Sequence, residues 1–348
     1  PTPGPEHPSP ARPDTTDART ARAKRKGGPV PGERIHHLSH TLEVAAPAPT
    51  VYALIADPER WPLYLPRNIY AQRLDFDGTH ERIRAWALAE GQIVSWTARR
   101  TQDPVHRRIA FHQDLLVEPA TSMAGHWSVQ PLGPGRCRLT LEHEFTAAPG
   151  RPQDADWLAQ VTADNSRSTL HSLQFLAERW PRLDQLALSF AESIRVNGPA
   201  ELVYGFLYDV ADWPGQLPHV RRAALEEPHL GIQKVALDLT AADGSAAPSV
   251  AGIRICFPHA GRIVHKATVP RPLLAAHCGE WSVLPDERGV TVVAQHHALL
   301  REDHIEQLLG PGTTLAEARR RIRADLARDS RQTLQLARRH AESAIRVL

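Results

Sequence analysis

An arginine and a histidine 43 residues apart, Arg100 and His143, each fall on the apolar face of an alternating segment. In Val94-Ser95-Trp96-Thr97-Ala98-Arg99-Arg100, the face holding Val94, Trp96 and Ala98 also holds Arg100, while Arg99 falls with Ser95 and Thr97. From Cys137 to Phe145 the odd positions are apolar except for His143. Side chains alternate faces along a strand, so both residues point inward. Arginine stays cationic and presents a fork of donors, which suits an oxygen on which negative charge builds. Histidine takes and returns a proton near neutral pH. The alternative for each is structural: an arginine inside a carboxylate pair, and a core histidine bonded to backbone. Arg254 and His297 repeat the pair at the same 43-residue spacing. There Ala251, Ile253, Ile255 and Phe257 make the opposite face apolar, which allows Arg254 to point outward. The strand Thr291-x-Val293-x-Gln295-x-His297-x-Leu299 places polar side chains on its inferred pocket face.

The elements that position these residues occur twice. Leu42-Glu-Val44-x-x-Pro47-x-x-x-Val51-Tyr52-x-Leu54-x-x-Asp57-x-x-x-Trp61-Pro62 recurs from Ile194 to Trp213-Pro214, each pair 152 positions apart. The offset becomes 154 at Trp127 and Trp281 and 164 where Asn165-Ser166-Arg167 meets Asp329-Ser330-Arg331. Such a period is a duplicated domain with loop insertions, not a solenoid. Each copy predicts an opening strand, a helix near Pro49 or Pro199, and a second short helix capped by Asp57-Pro58 in the first copy. A run of strands follows, then a long amphipathic helix. That helix spans about Asp154 to Glu178 in the first copy; in the second it carries Leu315, Ile322, Leu326, Thr333, Ala337 and Ala341. The layout is α+β: an antiparallel sheet curved around a final helix with a cavity between them. The expected divisions are a tail at 1–37 and domains at 38–185 and 190–348. Trp61, Trp127, Trp213 and Trp281 hold equivalent places, whereas Trp86 and Trp96 have no counterpart. Indoles around one arginine and one histidine suit a flat, oxygen-rich apolar ligand.

Composition narrows the classes. The 348 residues carry a net charge of only +2, from 41 basic and 39 acidic side chains, which argues against a phosphate-tracking protein. Three cysteines, Cys137, Cys256 and Cys278, with no C-x-x-C, exclude a disulfide scaffold and a cysteine-rich zinc site. No ligand cluster has metal-site spacing, so neither a metal nor an organic cofactor is implied. No apolar run reaches the roughly 18 residues of a membrane span, and the start lacks a signal-peptide core, which reads as a cytoplasmic, reduced-compartment protein. Residues 1–37 hold eight prolines and the basic cluster Arg22-Ala23-Lys24-Arg25-Lys26, and read as a disordered tail. His36, His37 and His40 read as linker at its end. Nucleic-acid binding through that tail is the least favoured alternative.

Trp61-Pro62, Trp96-Thr-Ala-Arg99-Arg100, Arg108-Ile109, Gly125-His-Trp127 and Asn165-Ser-Arg167, in this order, resemble the polyketide aromatase/cyclase family. The likeness is strongest to the di-domain members of type II polyketide synthases. It implies tandem helix-grip domains of the START and Bet v 1 superfamily, each a curved antiparallel sheet around a long C-terminal helix. It also implies an enzyme that takes a ketoreduced poly-β-ketone chain on an acyl carrier protein, closes the first ring (C7–C12) by intramolecular aldol addition, and dehydrates it to an aromatic. Other synthase subunits are then partners, and nucleic acid and membrane are not. The family's pocket arginine and histidine match Arg100 and His143. At its third position, an Asp or Asn on the last helix, spacing here suggests Thr169 or Asn165, with Thr333 in the second copy. Tyr70 or Tyr64 would add a hydroxyl at the entrance. Two alternatives remain: a non-catalytic carrier of lipid or polyketide, and one working domain beside a structural one.

Overall fold

The computed structural model describes residues 34–148 and 151–345. The proline-rich and basic stretch read as a tail lies outside the described residues up to position 33. The first domain runs β1 (His36–Val44), α1 (Ala48–Ala56), α2 (Trp61–Tyr64), β2 (Asn68–Phe76), β3 (His80–Ala89), β4 (Gln92–Asp103), β5 (Arg108–Leu115), β6 (Ala120–Gly133), β7 (Arg136–Ala147), α3 (Pro152–Glu178) and α4 (Trp180–Leu186). The second repeats the plan: β8 (Ala187–Val196), α5 (Ala200–Tyr208), β9 (Val220–His229), β10 (Ile232–Thr240), β11 (Ala246–Phe257), β12 (Arg262–Val269), β13 (Leu274–Asp286), β14 (Gly289–Leu300), α6 (Ile305–Leu309) and α7 (Leu315–Ile345).

Each sheet has seven antiparallel strands, in the orders β1-β7-β6-β5-β4-β3-β2 and β8-β14-β13-β12-β11-β10-β9. The sheets remain open, and a long helix closes each one. Proline at the first turn starts α3, and Leu158, Thr162, Ser166, Leu170, Leu173 and Leu176 form its buried stripe at three- and four-residue spacing. That stripe packs on β1, β7 and α1, as α7 packs on β8, β14 and α5. This is the α+β helix-grip architecture, in tandem. Asp57 accepts from the Glu59 amide at 3.2 Å and caps the turn that leads into Trp61.

Two local readings are corrected. His36, His37 and His40 are strand, not linker: β1 pairs along β7, and His36 stacks on Phe145 at 5.2 Å. Isolated polar residues at a sheet edge look like linker until the partner strand is known. The apolar face of β11 is also explained, because Ile253 and Ile255 pack with Val264 of β12 against Ile69 and Trp86 of the first domain. Lys266 completes that junction by donating its Nζ to the carbonyls of Leu65 and Asn68.

Candidate active site

Arg100 lies on the inner face of β4, directly opposite Glu81 of β3. Its Nη2 donates to the Ile55 carbonyl at 2.6 Å, holding the C-terminal end of α1, and its Nη1 lies 2.7 Å from Glu81 Oε1. Nη1 carries two N–H groups against one carboxylate oxygen, which leaves donor capacity for a ligand. The guanidinium carbon stands 4.9 Å from the centre of the Trp61 ring. Glu81 also accepts from Arg73 Nε and Gln102 Nε2, both at 2.8 Å. Burial, opposed by the Glu81 charge, lowers the Arg100 pKa to about 10, so it remains a cation at pH 7. The structural alternative therefore describes Arg100's bonds, while the same side chain also lines a cavity.

That cavity brings together most of the first-domain residues singled out from sequence. Trp61, Trp96 and Trp127 line it with Arg100 and His143, and Asn165, Ser168 and Thr169 face it from α3. Asn68 and Gln113 add further polar groups. His143 is not bonded to backbone: its Nδ1 is buried without a partner, and Phe111 meets its ring edge-on at 5.4 Å. Burial, aided by nearby His40, lowers its pKa to about 4, so the imidazole is neutral at pH 7 and offers a lone pair. Gly125 makes the room: a Cβ there would lie 2.0 Å from the Glu142 carbonyl oxygen and 2.7 Å from the Phe111 ring.

The two tyrosines expected at the entrance are elsewhere. Tyr64 packs in the core of the domain, its hydroxyl 3.5 Å from Arg60 Nη1. Tyr70 turns toward the second domain, stacks near Trp86 and Phe257, and accepts from Arg262 Nη2 at 2.9 Å. Tyrosine's mixed character suits a domain junction as well as a cavity mouth, and local pattern does not separate them.

The second domain has a cavity of similar size, about 940 Å³ of empty space against about 960 Å³ with mouths included, so duplication preserved the hollow. Arg254 points into it, not outward. It donates to the Leu207 and Tyr208 carbonyls at the end of α5, and it packs over Trp213 at 5.6 Å. Its partner across the strands is Gln233, whose Oε1 accepts at 2.7 Å, where the first domain has Glu81. Trp213, Trp281 and Thr333 line this cavity, and the Thr333 hydroxyl donates back to the Asp329 carbonyl at 2.9 Å.

His297 is outside it. This residue is half-buried on the other face of β14, where its Nδ1 lies 2.9 Å from Ser189 Oγ. The cause is a parity change in the hairpin. Val129 pairs with Leu139 in β6–β7, but Val283 pairs with Val292 in β13–β14, so the second hairpin is one residue shorter. A one-residue change moves every following side chain to the opposite face. His296 therefore takes the inward place, opposite Gly279 as His143 is opposite Gly125. The polar residues Thr291, Gln295 and His297 accordingly do not form the pocket face.

Sequence reasoning also missed Glu81, His40 and two further histidines, His265 and His277. Glu81 was within reach of the same alternation, since it shares a buried face with Ile83 and Ala85. The histidines come from separate strands and leave no spacing motif. Residues 265, 277 and 296 nonetheless converge, with one ligand atom from each within 4.8 Å of the others. Sequence spacing could not reveal this grouping, because it forms only across three paired strands.

Comparison with known proteins bears on what the cavities do. The profile of the family described as polyketide cyclase/dehydrase and lipid transport matches residues 36–178. The chain is 34% identical over 316 residues to the granaticin polyketide synthase bifunctional cyclase/dehydratase of Streptomyces violaceoruber, covering 90% of this chain and 97% of that protein. It is 35% identical over 324 residues to the actinorhodin counterpart of Streptomyces coelicolor, covering 90% and 98%. Among solved structures, the di-domain ARO/CYC BexL from the BE-7585A biosynthetic pathway superposes with a TM-score of 0.79 at 36% identity, over 88% of this chain and 99% of that one. The di-domain ARO/CYC StfQ from the steffimycin biosynthetic pathway gives 0.78 at 29%, with the same coverage. Among the described residues, no helix is long and apolar enough to cross a membrane.

Proposed function

The chain belongs to the di-domain polyketide aromatase/cyclases, and on that premise we propose that its first cavity closes and dehydrates the first ring of a poly-β-ketone. The protein is an enzyme of the cyclase/dehydratase type. The substrate we assign is a ketoreduced chain presented by an acyl carrier protein, with closure between C7 and C12, and the partners are the other subunits of a type II synthase.

The observation that carries this reading is the meeting of Arg100 and a neutral His143 in one indole-lined cavity. His143 takes a proton from a methylene flanked by two carbonyls. The resulting enolate carbon attacks a distant carbonyl carbon, a carbon–carbon bond forms, and that carbonyl's π electrons become an alkoxide. Arg100 holds the alkoxide through N–H groups that cannot lose their charge. The imidazolium returns its proton to give the alcohol. A second α-proton removal with loss of that hydroxyl as water sets one double bond. Loss of the ketoreduced hydroxyl as a second water, and enolisation of the remaining ring carbonyl, complete the aromatic ring. The indoles keep the chain folded so that the correct two carbons meet. Thr169 and Asn165 are assigned to orient the chain from α3.

A carrier role is the second reading, favoured by the engagement of Arg100 with Ile55 and Glu81. The test is the product profile of a reconstituted minimal synthase with ketoreductase, with and without this protein. A shift from shunt products to one first-ring aromatic supports catalysis. An unchanged profile with a correctly reduced chain refutes it. Arg254→Gln, compared with the double variant Arg100→Gln/Glu81→Gln that leaves no unpaired charge, then assigns the working domain.

A further inference from the structure

The second cavity contains a group that the ring-closing chemistry does not use. His265 on β12, His277 on β13 and His296 on β14 project from three adjacent strands onto one spot of the cavity wall. The His277 and His296 rings stack at 5.3 Å, and His265 meets them at 5.6 and 6.2 Å. His277 Nε2 lies 3.0 Å from His296 Nδ1, and His296 Nε2 lies 2.7 Å from the buried Ser330 Oγ on α7. His265 Nδ1 is buried with no hydrogen-bond partner. Burying three imidazoles is unfavourable unless their nitrogens are used.

We infer that His265, His277 and His296 form a binding site for a divalent transition-metal ion of the zinc class, with one coordination position open to the second cavity. Three neutral nitrogens and one vacant position make a zinc site of the open type. Ligand nitrogens around a tetrahedral zinc at about 2.0–2.1 Å stand roughly 3.3 Å apart, so the observed 4.8 Å limit closes with a shift of under about 1 Å per ring. With His296 Nε2 held by Ser330 Oγ from the outer shell, the Nδ1 lone pair that meets His277 Nε2 is the one a metal would take, in exchange for that hydrogen bond. Arg254 stands opposite His265 across the strands and lines the same cavity, and an open position suits a carbonyl or hydroxyl oxygen.

The cluster belongs to this domain, not to the fold. By strand register the first-domain counterparts are Phe111, Met123 and His143, which supply one imidazole instead of three. Gly279 opens the space, since a Cβ there would lie 2.9 Å from the His265 ring. The inference stands whether or not the first cavity closes the ring.

The counterparts also supply the variants, His265→Phe and His277→Met, each a residue that the same place accommodates in the other copy. The full chain is stripped with a chelator, then titrated with Co²⁺ and with Zn²⁺ in competition. We expect one equivalent bound, the intense visible bands of tetrahedral cobalt, and X-ray absorption showing three imidazoles near 2.0–2.1 Å. Both variants are expected to lose affinity about 100-fold with unchanged circular dichroism, whereas His37→Ala on the exposed edge loses none. No binding by the wild type overturns the inference. So does stoichiometric binding that persists unchanged in both variants, which would place the metal elsewhere.

Discussion

Replacing Arg100 alone would mislead, because the side chain is tied into the frame as well as exposed to the cavity. Arg100→Gln leaves the Glu81 carboxylate, whose side chain is 0% exposed, without its closest cation. Removing one member of a buried pair costs about 3–5 kcal/mol when nothing compensates. Arg73 Nε still lies 2.8 Å from Glu81, so the expected loss is about 2–3 kcal/mol. Glu81→Gln should cost less, about 1 kcal/mol, because Gln233 shows a glutamine in this place accepting from the arginine at 2.7 Å. The double variant Arg100→Gln/Glu81→Gln removes both charges and should regain about 2 kcal/mol relative to the sum of the singles. Thermal and urea unfolding read the stability, and product ratios in the reconstituted synthase read the activity. If Arg100 holds the alkoxide, the double variant is stable and still about 100-fold slower, the scale of losing an oxyanion donor. If activity returns together with stability, Arg100 is a structural clamp and the mechanism proposed for it is wrong.

Acid should unfold the protein early. Burial lowers the pKa of His143 to about 4, His265 to about 3 and His296 to about 4, and holds His277 well below its usual value. In the native state they stay neutral, while the unfolded chain binds protons below about pH 6.5, so stability falls as the pH drops from about 6.5 toward 4. A melting temperature that is flat from pH 7 to 5 would contradict this. With His143 as base, kcat/KM should show no acidic limb near pH 6.5 and should hold until the fold itself fails; a limb at 6–7 would assign the base to another group. Lys266→Met removes a buried ammonium that bonds two carbonyls of the other domain, at a cost of about 2–3 kcal/mol. Calorimetry should then show the two domains melting further apart, and an unchanged single transition would mean the junction does not couple them.

What was legible in the sequence depended on how far each signal reaches along the chain. The duplication was legible because Pro47, Asp57, Trp61 and their partners sit where short helices begin, and such landmarks survive loop changes. Arg100 and His143 were legible because β4 and β7 each bury one face, which makes a polar residue on that face conspicuous. Tyr70 and the apolar face of β11 were not, because what covers an outer face is another domain, and no local period records it.

His297 shows a different limit. Its neighbours were read correctly as strand, and the 43-residue spacing from Arg254 was real, yet a strand's inward set is a matter of parity. One residue fewer in the β13–β14 hairpin changed that parity and brought His296 inward instead. Equal spacing in two copies is therefore weaker than equal pairing. Gly125 faces His143 and Gly279 faces His296, and those pairings, not the counted interval, identify equivalent residues. The same reasoning turns three unrelated histidines into one site. Once β12, β13 and β14 are in register, His265 and His296 both stand opposite Gly279, with His277 two residues before it. Two residues is one full period of the pleat, so all three side chains emerge on the same face.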